Sequence, residues 1–65
     1  MRILVNGEDR HVVASTLEAA LGELGYGSLK VATAVDGDFV PATRRATCAL
    51  GEGSALEILA PMQGG

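Results

Sequence analysis

Ser15-Thr16-Leu17-Glu18-Ala19-Ala20-Leu21-Gly22-Glu23-Leu24-Gly25 is the stretch that decides the fold. A Ser followed three residues later by Glu is the pattern of a capping box, in which two side chains close off free backbone N–H groups. Thr16 is the alternative cap, one residue further on. Leu17, Ala20, Leu21 and Leu24 recur at i, i+3, i+4 and i+7, which lays a single apolar stripe along a short helix. Gly25 supplies the stop, because glycine enters the left-handed conformation that ends helices without steric cost.

Working outward, the segment before the helix reads as a hairpin. Met1-Arg2-Ile3-Leu4-Val5 is an apolar run, and Asn6-Gly7 is the strongest short hairpin signal, since a type I′ turn needs positive φ at both central residues. The partner strand is predicted over residues 8–14, carrying Val12 and Val13. Alternation puts Ile3 and Val5 on one face and Leu4 on the other. After the helix, Tyr26-Gly27-Ser28 is a loop and residues 31–35 are a strand of β-branched and small residues. Asp36-Gly37 turns the chain into a short strand, Phe39-Val40, which Pro41 ends for want of a backbone donor. Residues 42–49 have no clean period and are read as a loop with a possible single helical turn, anchored by Leu50. The turn at residues 51–54 leads into a last strand over residues 55–60, with Leu56, Ile58 and Ala60 facing the helix and Glu57 and Leu59 outward.

Hairpin, helix, short strands and final strand suit an α+β fold, with one helix lying across a mixed sheet of four or five strands. If the first and last strands pair in parallel at its centre, this is the ubiquitin-like β-grasp arrangement. Residues 1–60 are expected to form that domain and residues 61–65 a flexible C-terminal tail.

The composition narrows the function. Sixty-five residues make one domain, and a domain near that size buries only about 60% of its unfolded surface, which leaves no room for a cleft between two lobes. With 48% hydrophobic residues the chain is not expected to be disordered. No apolar run approaches the ~20 residues needed to span a bilayer, and no signal-peptide pattern is read at the start, so no membrane association is expected and the expected compartment is the cytoplasm. One cysteine excludes an internal disulfide framework and suits a reducing environment. A net charge of −3 argues against nucleic acid as a partner.

Side chains offer little catalysis. His11 has no acid, base or nucleophile near it in sequence and is read as a solvated strand residue. One His and one Cys cannot supply a four-ligand zinc site without several carboxylates, so no metal is assigned. Cys48 is read as a small, half-buried hydrophobe, although Arg44 and Arg45 lie close enough in sequence to activate an exposed thiol. Those arginines are themselves read as a solvated loop. Glu8, Asp9, Asp36 and Asp38 flank turns, where acidic residues are ordinary.

The tail is different. Gln63-Gly64-Gly65 closes the sequence directly after a strand. An extended five-residue tail reaches roughly 17 Å, enough to span the depth of another protein's nucleotide site. Two glycines present no Cβ, so a narrow channel can close round the backbone and position the α-carboxylate. Adenylation would turn that poor electrophile into an acyl phosphate with a good leaving group, open to a sulfur donor. The resulting thiocarboxylate is a soft, strong nucleophile. A docking face is expected beside the tail's root, made by Leu4 and Leu59 with Met62, and with Pro61 stiffening the exit.

The residues resemble the ThiS family of sulfur carriers in thiazole and thiamine biosynthesis over nearly the whole chain. The likeness is carried by Ile3-Leu4-Val5-Asn6-Gly7-Glu8, Thr16-Leu17-Glu18, Val35-Asp36-Gly37-Asp38-Phe39-Val40-Pro41, and Leu56-Glu57-Ile58-Leu59 running to Gly64-Gly65. Asp36 stands where the family often has Asn, and Gly53-Ser54 where it usually has Gly-Asp. The resemblance implies a β-grasp carrier, not an enzyme, that binds no cofactor itself. A ThiF-like adenylyltransferase would activate Gly65 with ATP and Mg2+. A cysteine desulfurase or rhodanese-type protein would supply sulfur, and thiazole synthase (ThiG) would accept it. On this reading Gly65 is the modified residue, with Gly64 and Gln63 threading behind it. Two alternatives stay open: a MoaD-like carrier for molybdopterin or another sulfur-transfer pathway, and a β-grasp interaction module with an idle tail. Co-purification with thiazole synthase separates the first alternative from the thiazole reading.

Overall fold

The fold is seen in a computed structural model, and residues 1–60 are described. Strands β1 (Arg2–Val5) and β2 (Glu8–His11) form a hairpin, followed by helix α1 (Leu17–Glu23). Strands β3 (Ala32–Val35) and β4 (Asp38–Val40) form a second hairpin, then come a 3₁₀ helix over Ala42–Thr47 and β5 (Ala55–Leu59). The sheet order is β2-β1-β5-β3-β4, with β1 and β5 parallel and the other pairs antiparallel. The predicted β-grasp topology is therefore present, with the last strand between the two hairpins.

Both two-residue turns take the geometry their residues favour. Asn6 and Gly7 have φ of 51° and 85°, and Asp36 and Gly37 have 51° and 87°, so each turn has positive φ at both positions. Ile3, Val5, Leu56, Ile58 and Val40 point to one face and pack on Leu17, Ala20 and Leu21 of the helix. The inward alternation of β1 and the helical stripe are as the sequence predicts.

The ends of several elements differ from expectation, each for a visible reason. The helix cap is Thr16, whose Oγ1 accepts from the Ala19 N–H at 3.3 Å. Glu18 then falls one position too early to complete a capping box. Thr16 is extended, and the segment is held by the Leu50 N–H bond to the Ser15 carbonyl at 2.9 Å and by a bridge between Thr16 and Ala49. At the other end the Tyr26 N–H bonds the Leu21 carbonyl and the Gly25 N–H that of Gly22, with Gly25 at φ 95°. This is a Schellman stop, built on the glycine the sequence marks.

Strand β2 ends at His11 instead of residue 14. The Val12 N–H still bonds the Met1 carbonyl, but the Val13 and Ala14 N–H groups turn to the Glu23 carboxylate, which ties this linker to the helix end. Val12 is buried while Val13 is 94% exposed. At the far end β5 stops at Leu59, and Ala60 is exposed, not helix-facing. Leu50 is buried as predicted, and residues 42–47 wind into two turns of 3₁₀ helix where a loop with one turn is expected. Among the described residues no helix is long and apolar enough to cross a membrane.

Candidate functional site: the open face beside the end of β5

The helix covers one face of the sheet and leaves the other open. Alternation and register decide what this open face carries. On β5 the outward residues are Ala55, Glu57 and Leu59, and Leu59 is 72% exposed. On β3, Ala34 lies opposite Glu57 and Ala32 opposite Leu59; on β4, Phe39 lies opposite Ala34. Phe39 is 69% exposed although it is the chain's only phenylalanine. Phe39, Ala32, Ala34 and Leu59 line one shallow depression of about 320 Å³, with the Glu57 carboxylate and Asn6 at its edge. An exposed aromatic ring grouped with other apolar side chains on an uncovered sheet face makes this depression the candidate contact surface.

Leu4 is on the same face, half-buried, as the outward reading of β1 requires. It pairs with Ala55, four residues before Leu59 on β5, a separation of about 13 Å along the strand. The structure thus puts Leu4 and Leu59 on one surface without bringing them together; Ala32 is the register partner of Leu59, and Phe39 lines the same depression. Pro61, Met62, Gln63, Gly64 and Gly65 lie outside the described residues. Phe39 and Ala32 were legible in principle, since a buried Val40 forces Phe39 outward, but a three-residue strand offers alternation little to work on.

Side-chain amide and carboxylate groups from the two turns fix β5 in place. Asp36 accepts from the Ala55 N–H through Oδ1 at 2.9 Å and donates its own N–H to the Ala55 carbonyl at 2.8 Å. Asn6 accepts from the Ile58 N–H through Oδ1 at 2.8 Å and donates from Nδ2 to the Ile58 carbonyl at 3.1 Å. The strand that runs into the tail is thereby held at its start by one turn and near its end by the other.

The remaining candidates fall elsewhere. His11 is exposed in β2, opposite Arg2. Cys48 is half-buried and packs against the core, while its carbonyl accepts the Leu17 N–H at 2.8 Å. Arg44 is exposed as expected, but Arg45 is not a solvated loop residue. Its guanidinium donates to Thr33 Oγ1 at 3.2 Å and to the Val31 carbonyl, tying the 3₁₀ helix to β3. Thr33 is 2% exposed and its hydroxyl donates a hydrogen bond to the Val40 carbonyl at 2.8 Å, so the Arg45 N–H completes a buried hydroxyl by giving its oxygen a donor. Among the described residues no three of His, Cys, Asp and Glu are grouped so as to hold a metal ion.

A mixed five-stranded sheet with one helix across it and the other face open defines a small ubiquitin-like β-grasp module. The ThiS family profile matches residues 3–65, and the chain belongs to that family of small sulfur carriers in thiamine biosynthesis. The chain is 46% identical over 66 residues to a thiazole synthase of Paramagnetospirillum magneticum, covering 100% of this chain and 20% of that protein. It thus spans about a fifth of the length of the curated relative it matches. A crystal structure of the thiamine biosynthesis protein ThiS from Geobacter metallireducens superposes with a TM-score of 0.83 over 100% of both chains at 23% identity. A solution structure of a thiamine biosynthesis protein from the same organism gives 0.80, over 100% of this chain and 88% of that one, also at 23% identity. These likenesses establish the fold.

Proposed function

We propose that this chain carries sulfur on its C-terminal glycine, for delivery to thiazole synthase. The observation that supports this most is the exposed apolar face around Phe39 and Leu59, which flanks the strand that runs into Gly64-Gly65. The face would dock on an activating enzyme while residues 61–65 enter its nucleotide site. There the Gly65 carboxylate attacks the α-phosphorus of ATP, with Mg2+ held by the enzyme, and pyrophosphate leaves. The terminal sulfur of a cysteine persulfide on a desulfurase or rhodanese-type donor then attacks the acyl carbon and AMP leaves, giving an acyl disulfide to the donor. A second thiol attacks the donor cysteine's sulfur, breaking the S–S bond, so that a thiocarboxylate is released on Gly65 and a disulfide forms on the donor. Delivery of that sulfur to a thiazole synthase returns the carboxylate for another cycle. Nothing in this sequence of steps requires a catalytic side chain on the carrier.

The likeness to a protein named thiazole synthase supports the thiazole branch over the molybdopterin one, because it places a segment similar to this chain inside such a protein. A ThiF-like adenylyltransferase is the activating partner that fits, and the ATP and reactive thiols it requires point to the cytoplasm. Glu57 at the edge of the apolar depression calls for a partner surface that is apolar with one cationic residue facing it.

Phe39 gives the docking face a direct test. Phe39→Glu places a charge where an exposed ring stands, so the fold should survive with an unchanged thermal midpoint. Adenylation kcat/KM with a ThiF-type enzyme is expected to fall roughly tenfold or more through KM, the scale of a buried aromatic anchor. Unchanged kcat/KM would show that the enzyme docks elsewhere.

A further inference from the structure

We infer that the Asn6 side chain is a positioning residue: it stands in for the next acceptor and donor that a continuing β1 would offer and aims the end of β5, and hence the tail, at the activating enzyme. This inference rests on the sulfur-carrier reading. The parallel ladder between β1 and β5 runs through the Leu4 N–H to the Ser54 carbonyl and the Asn6 N–H to the Leu56 carbonyl, each at 2.9 Å. A continuing strand would next bond both polar groups of Ile58. The chain cannot continue, because Asn6 turns away at φ 51° to make the hairpin. Its carboxamide fills the gap: Oδ1 takes the Ile58 N–H at 2.8 Å and Nδ2 reaches the Ile58 carbonyl at 3.1 Å.

A primary carboxamide has one N–H syn to its oxygen, so donor and acceptor point the same way and can close both bonds to Ile58 at once, as the C=O and N–H of two successive peptide groups would in a continuing strand. The ladder is thus prolonged past the point where the hairpin has left it, to within two residues of Ala60. On its other edge β5 is held there by the pairing of Leu59 with Ala32. With both edges fixed, β5 is held up to Leu59; with the Asn6 edge released, Ile58 to Ala60 can swing about the β3 side. A carboxylate that must meet ATP at the end of a five-residue tail is sensitive to such a swing, since small misplacements of a reacting group lower its rate steeply.

Three forms of the full chain separate this role from a structural one: wild type, Asn6→Gly and Asn6→Asp. Glycine keeps the positive-φ turn and removes only the carboxamide. Aspartate keeps the turn and the acceptor for the Ile58 N–H but loses the donor. Amide exchange is expected to speed up about tenfold at Ile58 in Asn6→Gly, with Val5 and Leu56 unchanged, the scale of one lost hydrogen-bonded pair. With a ThiF-type enzyme and ATP, kcat for adenylation should fall roughly tenfold while KM stays within about twofold, because the docking face is untouched. Asn6→Asp should protect the Ile58 amide and recover part of kcat. Wild-type kcat in Asn6→Gly, or loss shared equally by Val5 and Leu56 exchange, overturns the positioning role. A wild-type chain that is not adenylated at all instead overturns the sulfur-carrier reading on which it rests.

Discussion

One alanine added after Gly65 is expected to abolish adenylation by a ThiF-type enzyme, with no change in fold or in thermal midpoint. The proposed chemistry uses a free α-carboxylate on a residue with no side chain. The addition moves that group by one residue, about 3.5 Å, and replaces the carboxylate of Gly65 with an amide that cannot attack ATP. It also places a Cβ where the terminal pair Gly64-Gly65 presents none. The loss should appear in pyrophosphate release and should be complete, since no side chain can substitute for the displaced group. A β-grasp module with an idle tail would keep its binding partners and its activity in cells after the same change. Adenylation of the extended chain at the wild-type rate would overturn the reading.

The second large effect concerns the core. Leu17 is 0% exposed and packs at the start of the helix against Ile3 and Leu56, themselves 0% and 1% exposed. Leu17→Ala is expected to cost about 2–5 kcal/mol through lost transfer energy and the cavity left behind. A single core in a domain this small supplies only about 3–5 kcal/mol of net stability. Urea titration should therefore show the Leu17→Ala chain losing most of its stability, with its unfolding midpoint moved to low or zero denaturant. Val13→Ala, at a position 94% exposed, should change stability by less than about 0.5 kcal/mol. A Leu17→Ala loss below about 1 kcal/mol would mean the helix is not the lid of this core.

The sequence carries the fold well because its signals are local and agree with one another. Asn6-Gly7 and Asp36-Gly37 each take positive φ at both positions, and Gly25 stops the helix where its stripe ends. The alternation of Ile3, Leu4 and Val5 is enough to orient the central strand. What is missed depends on contacts between segments far apart in the chain. The choice of Thr16 over Ser15 as cap is made by Ala49 and Leu50, and the early end of β2 by the Glu23 carboxylate. Arg45 is withdrawn from solvent by a buried Thr33 twelve residues away. No periodicity encodes such bonds.

The candidate site shows the same division. The proposed tail site rests on the sequence alone and lies outside the described residues, whereas the proposed docking face joins β3, β4 and β5. Leu59 is found because it alternates on a five-residue strand, while Phe39 needs the pairing of β3 with β4 to be placed beside it. Leu4 fails to join them because the parallel register sets it level with Ala55. The carboxamide of Asn6 is hidden behind its turn signal, which already explains the residue without reference to Ile58. A residue chosen for backbone geometry can thus carry a second role that only the three-dimensional arrangement reveals.

The account is tested most directly by the intact mass of the chain after incubation with ATP, a ThiF-type enzyme and a sulfur source. Exchange of one oxygen for one sulfur, confined to Gly65 by fragmentation and absent when Gly65 is deleted, is the result it predicts. An unchanged mass, or sulfur found on Cys48 instead, would contradict it.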